Sequence, residues 1–103
     1  MLKPPDFHIL LALAAGPLHG YRIMKDVERD TGGDVTLEIG SLYRLLARLV
    51  SEGFIDHVDG AGERRRYYRI TTAGRRALKS EAARLANVLT IVRARKLLPE
   101  TDA

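Results

Sequence analysis

Residues 54–70 carry two short runs of strand-forming residues, Phe54-Ile55-Asp56-His57-Val58 and residues 64–70, joined by Asp59-Gly60-Ala61-Gly62-Glu63. Two such runs around a Gly-rich turn predict a β-hairpin. The chain on either side of it is helical in pattern. The hairpin therefore has to close one side of a helical core, which sets the fold class as mainly α with a small β-hairpin.

The helices read as follows. Pro4-Pro5-Asp6 marks a helix start, because proline is tolerated in the first turn and Asp6 can cap. Phe7, Leu10, Leu11, Leu13 and Ala14 predict a short buried helix over 7–15, ended by Gly16-Pro17. A second helix runs from His19-Gly20 to Thr31, with Gly20, Ile23, Met24 and Val27 as its apolar stripe and Gly32-Gly33 as its stop. Val35-Thr36-Leu37 predicts a brief strand. From Ile39 the spacing is helical again: Leu42, Leu45, Leu46, Leu49 and Val50 share one face, with Ser41, Arg44, Ala47, Arg48 and Ser51 opposite. After the hairpin, Thr71-Thr72-Ala73-Gly74 opens a long helix to about Leu98. This order predicts a winged helix-turn-helix over residues 1–74, then a C-terminal dimerisation helix and short tail over 75–103.

A length of 103 residues suits one domain, and 46% apolar with 29% charged residues is globular composition. The chain has no cysteine, which excludes disulfides, thiolate metal sites and cysteine nucleophiles and points to a reducing cytoplasm. Its longest apolar stretch, residues 9–15, is far short of the roughly 20 residues that a membrane helix needs. The start of the chain shows no signal-peptide pattern. His8, His19 and His57 are dispersed, Ser41 and Ser51 lack a nucleophile-elbow setting, and Gly60-Ala61-Gly62 lies in a hairpin rather than before a helix. No enzyme, cofactor or metal is expected.

Net charge is +4, but residues 64–84 hold eight basic residues against one acid, Glu81, a distribution that invites a polyanion. In a helix-turn-helix the N-terminal part of one helix meets base edges and phosphates. The third helix offers Ser41 and Tyr43 hydroxyls to phosphate, and Arg44 and Arg48 for guanine or phosphate. Free backbone amides near Gly40-Ser41 add a further anion contact. Arg64, Arg65 and Arg66 beside the hairpin turn can reach the adjacent minor groove or backbone, which predicts double-stranded DNA as partner and steep salt dependence. Tyr67 and Tyr68 alternate across the strand, so one ring should enter the core. Two other readings compete: a solvated basic face, and a protein-interaction module. The second would carry apolar residues on the outer face of the third helix, where Arg44 and Arg48 stand instead.

In the last helix Leu78, Ala82, Leu85, Leu89 and Val92 recur at heptad steps, widened by Val88, Ile91, Leu97 and Leu98. Such a seam can fold back on its own domain or pair with a second copy, and its apolar extent favours a homodimer. A two-fold dimer would set two recognition helices roughly 34 Å apart, matching a pseudo-palindromic operator.

Three ordered motifs then carry a resemblance. Gly16-Pro17-Leu18-His19-Gly20-Tyr21-Arg22-Ile23 is the first. Gly40-Ser41-Leu42-Tyr43-Arg44-Leu45-Leu46-Ala47-Arg48-Leu49 with Glu52-Gly53-Phe54-Ile55 is the second. The third is Arg65-Arg66-Tyr67-Tyr68-Arg69-Ile70-Thr71-Thr72-Ala73-Gly74. Over about residues 7–80 the chain resembles the PadR family of regulators. The resemblance implies a winged-helix repressor, dimeric through its C-terminal helix, on an inverted repeat near its own or a neighbouring promoter. It also implies DNA roles for Tyr21, Ser41, Tyr43 and the basic hairpin residues. The family often has proline where this chain has Arg44, which places an added DNA-reading side chain there. Some members hold aromatic drugs between dimer helices with a tryptophan. This chain has no tryptophan and no aromatic residue after Tyr68, so that pocket does not carry over, and the sequence names no inducer.

Overall fold

The computed structural model describes residues 2–58 and 66–99. Its elements are α1 (Pro4–Leu13), β1 (Leu18–His19), α2 (Gly20–Asp30), α3 (Ile39–Ser51), β2 (Ile55–Val58), β3 (Tyr67–Ile70) and α4 (Thr72–Ala94). Ile9, Leu10 and Leu13 of α1, Ile23 and Val27 of α2, and Leu42, Leu46 and Leu49 of α3 are buried together. Ile55, Tyr68 and Leu78 complete that cluster from the sheet and α4. Apolar faces that three short helices could not bury singly are thus buried jointly, with the sheet closing one side. The fold is a winged helix, mainly α with a small antiparallel sheet.

The sheet has three strands, in the order β1-β3-β2. Leu18 and His19 pair with Tyr68 and Tyr67, adding an edge strand that the helical pattern at His19-Gly20 concealed. Val35-Thr36-Leu37, expected to be a strand, is not one. The Thr31 hydroxyl accepts from the Val35 amide at 3.0 Å and donates to the Val27 carbonyl at 2.9 Å. That tie holds the backbone in a turn, while Leu37 still packs into the core.

Helix ends follow local chemistry. α1 starts one turn earlier than expected, with both prolines in its first turn and Lys3 as N-cap. Asp6 is therefore not the cap: it faces inward and is buried. His19 caps α2 through Nδ1, which accepts from the Arg22 amide at 3.1 Å. The Thr71 hydroxyl caps α4 at the Gly74 amide, 3.0 Å away, and donates to the Gly53 carbonyl at 2.6 Å. α4 stops at Ala94 rather than Leu98, because Lys96 turns left-handed (φ 57°) and the Leu97 amide bonds back to the Val92 carbonyl. No helix among the described residues is long and apolar enough to cross a membrane.

Candidate nucleic-acid interface

At 3.6 residues per turn, the leucines of α3 define an inward face, and Gly40, Arg44, Ala47 and Ser51 form the ridge opposite. All four are exposed, and a side chain added at Gly40 would meet open space. Glu38 makes no side-chain cap, and the first helical amide bond is Leu42 to the Glu38 carbonyl. The leading amides of α3 are thus left to solvent or a ligand. Arg44 Nη2 reaches Ser41 Oγ at 3.3 Å, which holds the guanidinium over the first turn of the helix.

Tyr43 and Arg48 flank this ridge about 140° apart around the helix. The Tyr43 ring lies over Gly20 at the start of α2, its hydroxyl 2.9 Å from where a Cβ would sit, while half the residue remains exposed. Beside it Tyr21 is 55% exposed and stacks on His19, and Lys25 Nζ lies 5.5 Å from the Tyr21 ring centroid. His19 meets Tyr67 of β3 edge-on, with centroids 5.6 Å apart, so the start of α2 is joined to the sheet. Burial pushes the Tyr68 phenol up; the Arg66 charge partly offsets this and Tyr43 adds to it. Arg66 itself is exposed at the foot of β3, whereas Arg64 and Arg65 lie outside the described residues.

Two of the sequence-named residues are engaged within the chain itself. Arg48 does not stand free beside Arg44: its guanidinium donates to Asp6 Oδ1 at 2.7 Å and to Glu52 Oε1 at 3.0 Å. Its hydrogen bond to the Asp6 carboxylate, more than any other neighbour, holds it more firmly protonated than an ordinary arginine. Leu78 does not lie on an open seam, because it is buried in the chain's own core. The remaining seam positions Ala82, Leu85 and Leu89 are exposed and Val92 is half-buried, with Val88 and Ile91 exposed beside them.

The sequence reading also passed over Ile39 and Lys25. Ile39 heads α3 and is 63% exposed even though its spacing from Leu42, Leu46 and Val50 continues the leucine stripe. Spacing alone assigns it to the inward face, and only its place at the first helical position, ahead of the packed turns, leaves it uncovered.

The model of the PadR-like family of transcriptional regulators matches residues 9–80. The chain belongs to this family. A transcriptional regulator from Clostridium thermocellum is 30% identical, with 87% of each chain covered and a TM-score of 0.73. Bacillus subtilis PadR, solved in complex with operator DNA, is 26% identical over 75% of this chain and 45% of that one, with a TM-score of 0.64. An uncharacterized 37.1 kDa protein of transposon Tn4556 from Streptomyces fradiae is 41% identical over 80 residues. Those residues are 78% of this chain but span only 22% of that longer protein.

Proposed function

We propose that this PadR-like regulator is a cytoplasmic, sequence-specific DNA-binding repressor that acts as a homodimer on a pseudo-palindromic operator. The observation that carries this reading is the uncovered ridge of α3 with Gly40 and Arg44, flanked by Tyr43, whose ring reaches the start of α2 next to the exposed Tyr21. Arg44 is suited to guanine O6 and N7, and Ile39 to a thymine methyl. Gly40 and Ser41 offer an amide and a hydroxyl to phosphate, and Tyr43, Tyr21 and Lys25 extend that contact along one strand. Arg66, with Arg64 and Arg65 of the hairpin, supplies backbone or minor-groove charge. The Bacillus subtilis relative's complex with operator DNA supports duplex DNA as the partner.

The outer half of α4, with Ala82, Leu85, Leu89 and Val92, pairs with the same segment of a second copy. A row of aliphatic residues is otherwise left in water.

Selecting genomic fragments with the purified protein and titrating the winners by fluorescence anisotropy tests this directly. The expected result is a symmetric consensus, and an affinity that drops steeply between about 50 and 200 mM salt. Arg44→Ala should relax base preference, whereas Arg66→Ala should weaken all sequences alike and flatten the salt slope by about one. Weak binding that ignores salt would instead mark a protein-interaction module.

A further inference from the structure

Arg44 and Arg48 lie one turn apart on α3 and are the same residue type, yet their surroundings differ. Arg44 touches one hydroxyl at 3.3 Å and is exposed. Arg48 is met by two carboxylates, and one of them, Asp6, comes from α1, 42 residues earlier, with only 4% of the residue exposed. A guanidinium already neutralised twice has little charge left for a phosphate, and pulling it away would strand a buried carboxylate at considerable cost.

Tyr43 seats the other flank of the helix on Gly20 at the start of α2. α3 is thus held on both flanks, by an aromatic ring against α2 and by an ion pair against α1. The reading ridge lies between them.

We infer that Arg48 is a positioning residue: through Asp6 it fixes the roll of the recognition helix on α1, and so sets where Arg44 meets the base edge. This rests on the DNA-binding reading above and names how its specificity is set. Contacts to base edges need that roll held, whereas phosphate contacts tolerate a small change in it. Loosening the pair should therefore cost base discrimination more than affinity for arbitrary sequence.

Anisotropy titrations on the selected operator and on a random duplex, at several salt concentrations, test this with wild type, Asp6→Asn, Arg48→Met and the double variant. For Asp6→Asn the operator preference should fall about tenfold or more, the worth of one bidentate base contact. Random-duplex affinity and the salt slope should stay as in wild type. The double variant should be no worse than either single change, the mark of two groups acting as one. It also leaves no buried charge unpaired, so it carries the same test if Asp6→Asn melts below the assay temperature.

If Arg48 contacts phosphate instead, Arg48→Met will flatten the salt slope by about one and Asp6→Asn will bind as well as wild type or better. That result overturns the inference alone. Wild type that binds neither duplex would overturn the DNA-binding reading, and the inference with it.

Discussion

The two halves of α4 are one continuous helix with opposite surroundings. From Thr72 to Glu81 the helix is seated on the winged-helix core: Gly74, Leu78 and Glu81 are buried. From Ala82 onward every residue to Ile91 is exposed, including Leu85, Val88 and Leu89. Aliphatic content runs against the burial, for the exposed residues 82–91 are richer in it than the seated residues 72–81. What separates them is whether the same chain supplies a facing surface, as α1 and the sheet do for the first half and nothing among the described residues does for the second. A heptad pattern records which residues want cover; it does not record who provides it.

The largest effect is expected at Gly74, in the seated half. Alanine in place of glycine within a helix usually stabilises by up to about 1 kcal/mol. Here a Cβ would sit 2.0 Å from the Phe54 carbonyl oxygen, a backbone atom that cannot swing away. Gly74→Ala should therefore destabilise the fold by about 3 kcal/mol or more in urea denaturation, despite its better helix propensity. A neutral result would mean that the inner half of α4 is not tightly seated.

A paired truncation sharpens the contrast. Leu78→Ala should cost about 2–4 kcal/mol of stability at every protein concentration, because it empties a core site. Leu89→Ala should leave the isolated protomer nearly unchanged and instead raise the dimer dissociation constant, seen as a melting temperature that depends more strongly on concentration. Sedimentation equilibrium and melting of the same samples check both. Equal behaviour of the two variants would erase the distinction between the halves.

The same contrast explains what could be read in advance. The inward leucines of α3, its outward Arg44 and the stop at Gly53 are local: spacing and a left-handed glycine (φ 81°) decide them. Asp6 was legible only as a cap, because its partner Arg48 is 42 residues away. β1 was hidden for a similar reason. Two residues make no periodicity, and Leu18 and His19 become a strand only by pairing with Tyr68 and Tyr67. Leu78 fits the heptad and the core equally well on spacing, and only the packing of α4 against α1 assigns it. The exposed ridge of α3 was legible because one helix builds it. Its supports come from distant parts of the chain and were not.

A smaller effect sits at the far end of the exposed half. Lys96 holds a left-handed conformation with a side chain that disfavours it, in order to close the last turn. Lys96→Gly should stabilise that end by roughly 0.5–1 kcal/mol, read as slower amide exchange in the final turn of α4. No gain would mean that the turn is held by something other than its backbone bonds.

The smallest expected effect lies at the boundary between the halves. Arg84 donates Nε to both Glu81 oxygens at 3.1 Å, and this hydrogen bonding holds the Glu81 carboxyl below the usual glutamate range even though burial pushes the other way. A carboxyl that is harder to protonate when folded contributes stability above its unfolded pKa, about 4.3, and loses that contribution as the pH falls further and the folded form also takes up a proton. Glu81→Gln should therefore differ from wild type near neutral pH and converge with it in acid, in melting curves taken from pH 6 down to pH 3. The ion pair pins the first exposed turn of α4 to the last buried one. A difference between the two proteins that persists unchanged to pH 3 would show that the carboxylate charge is not what holds that joint.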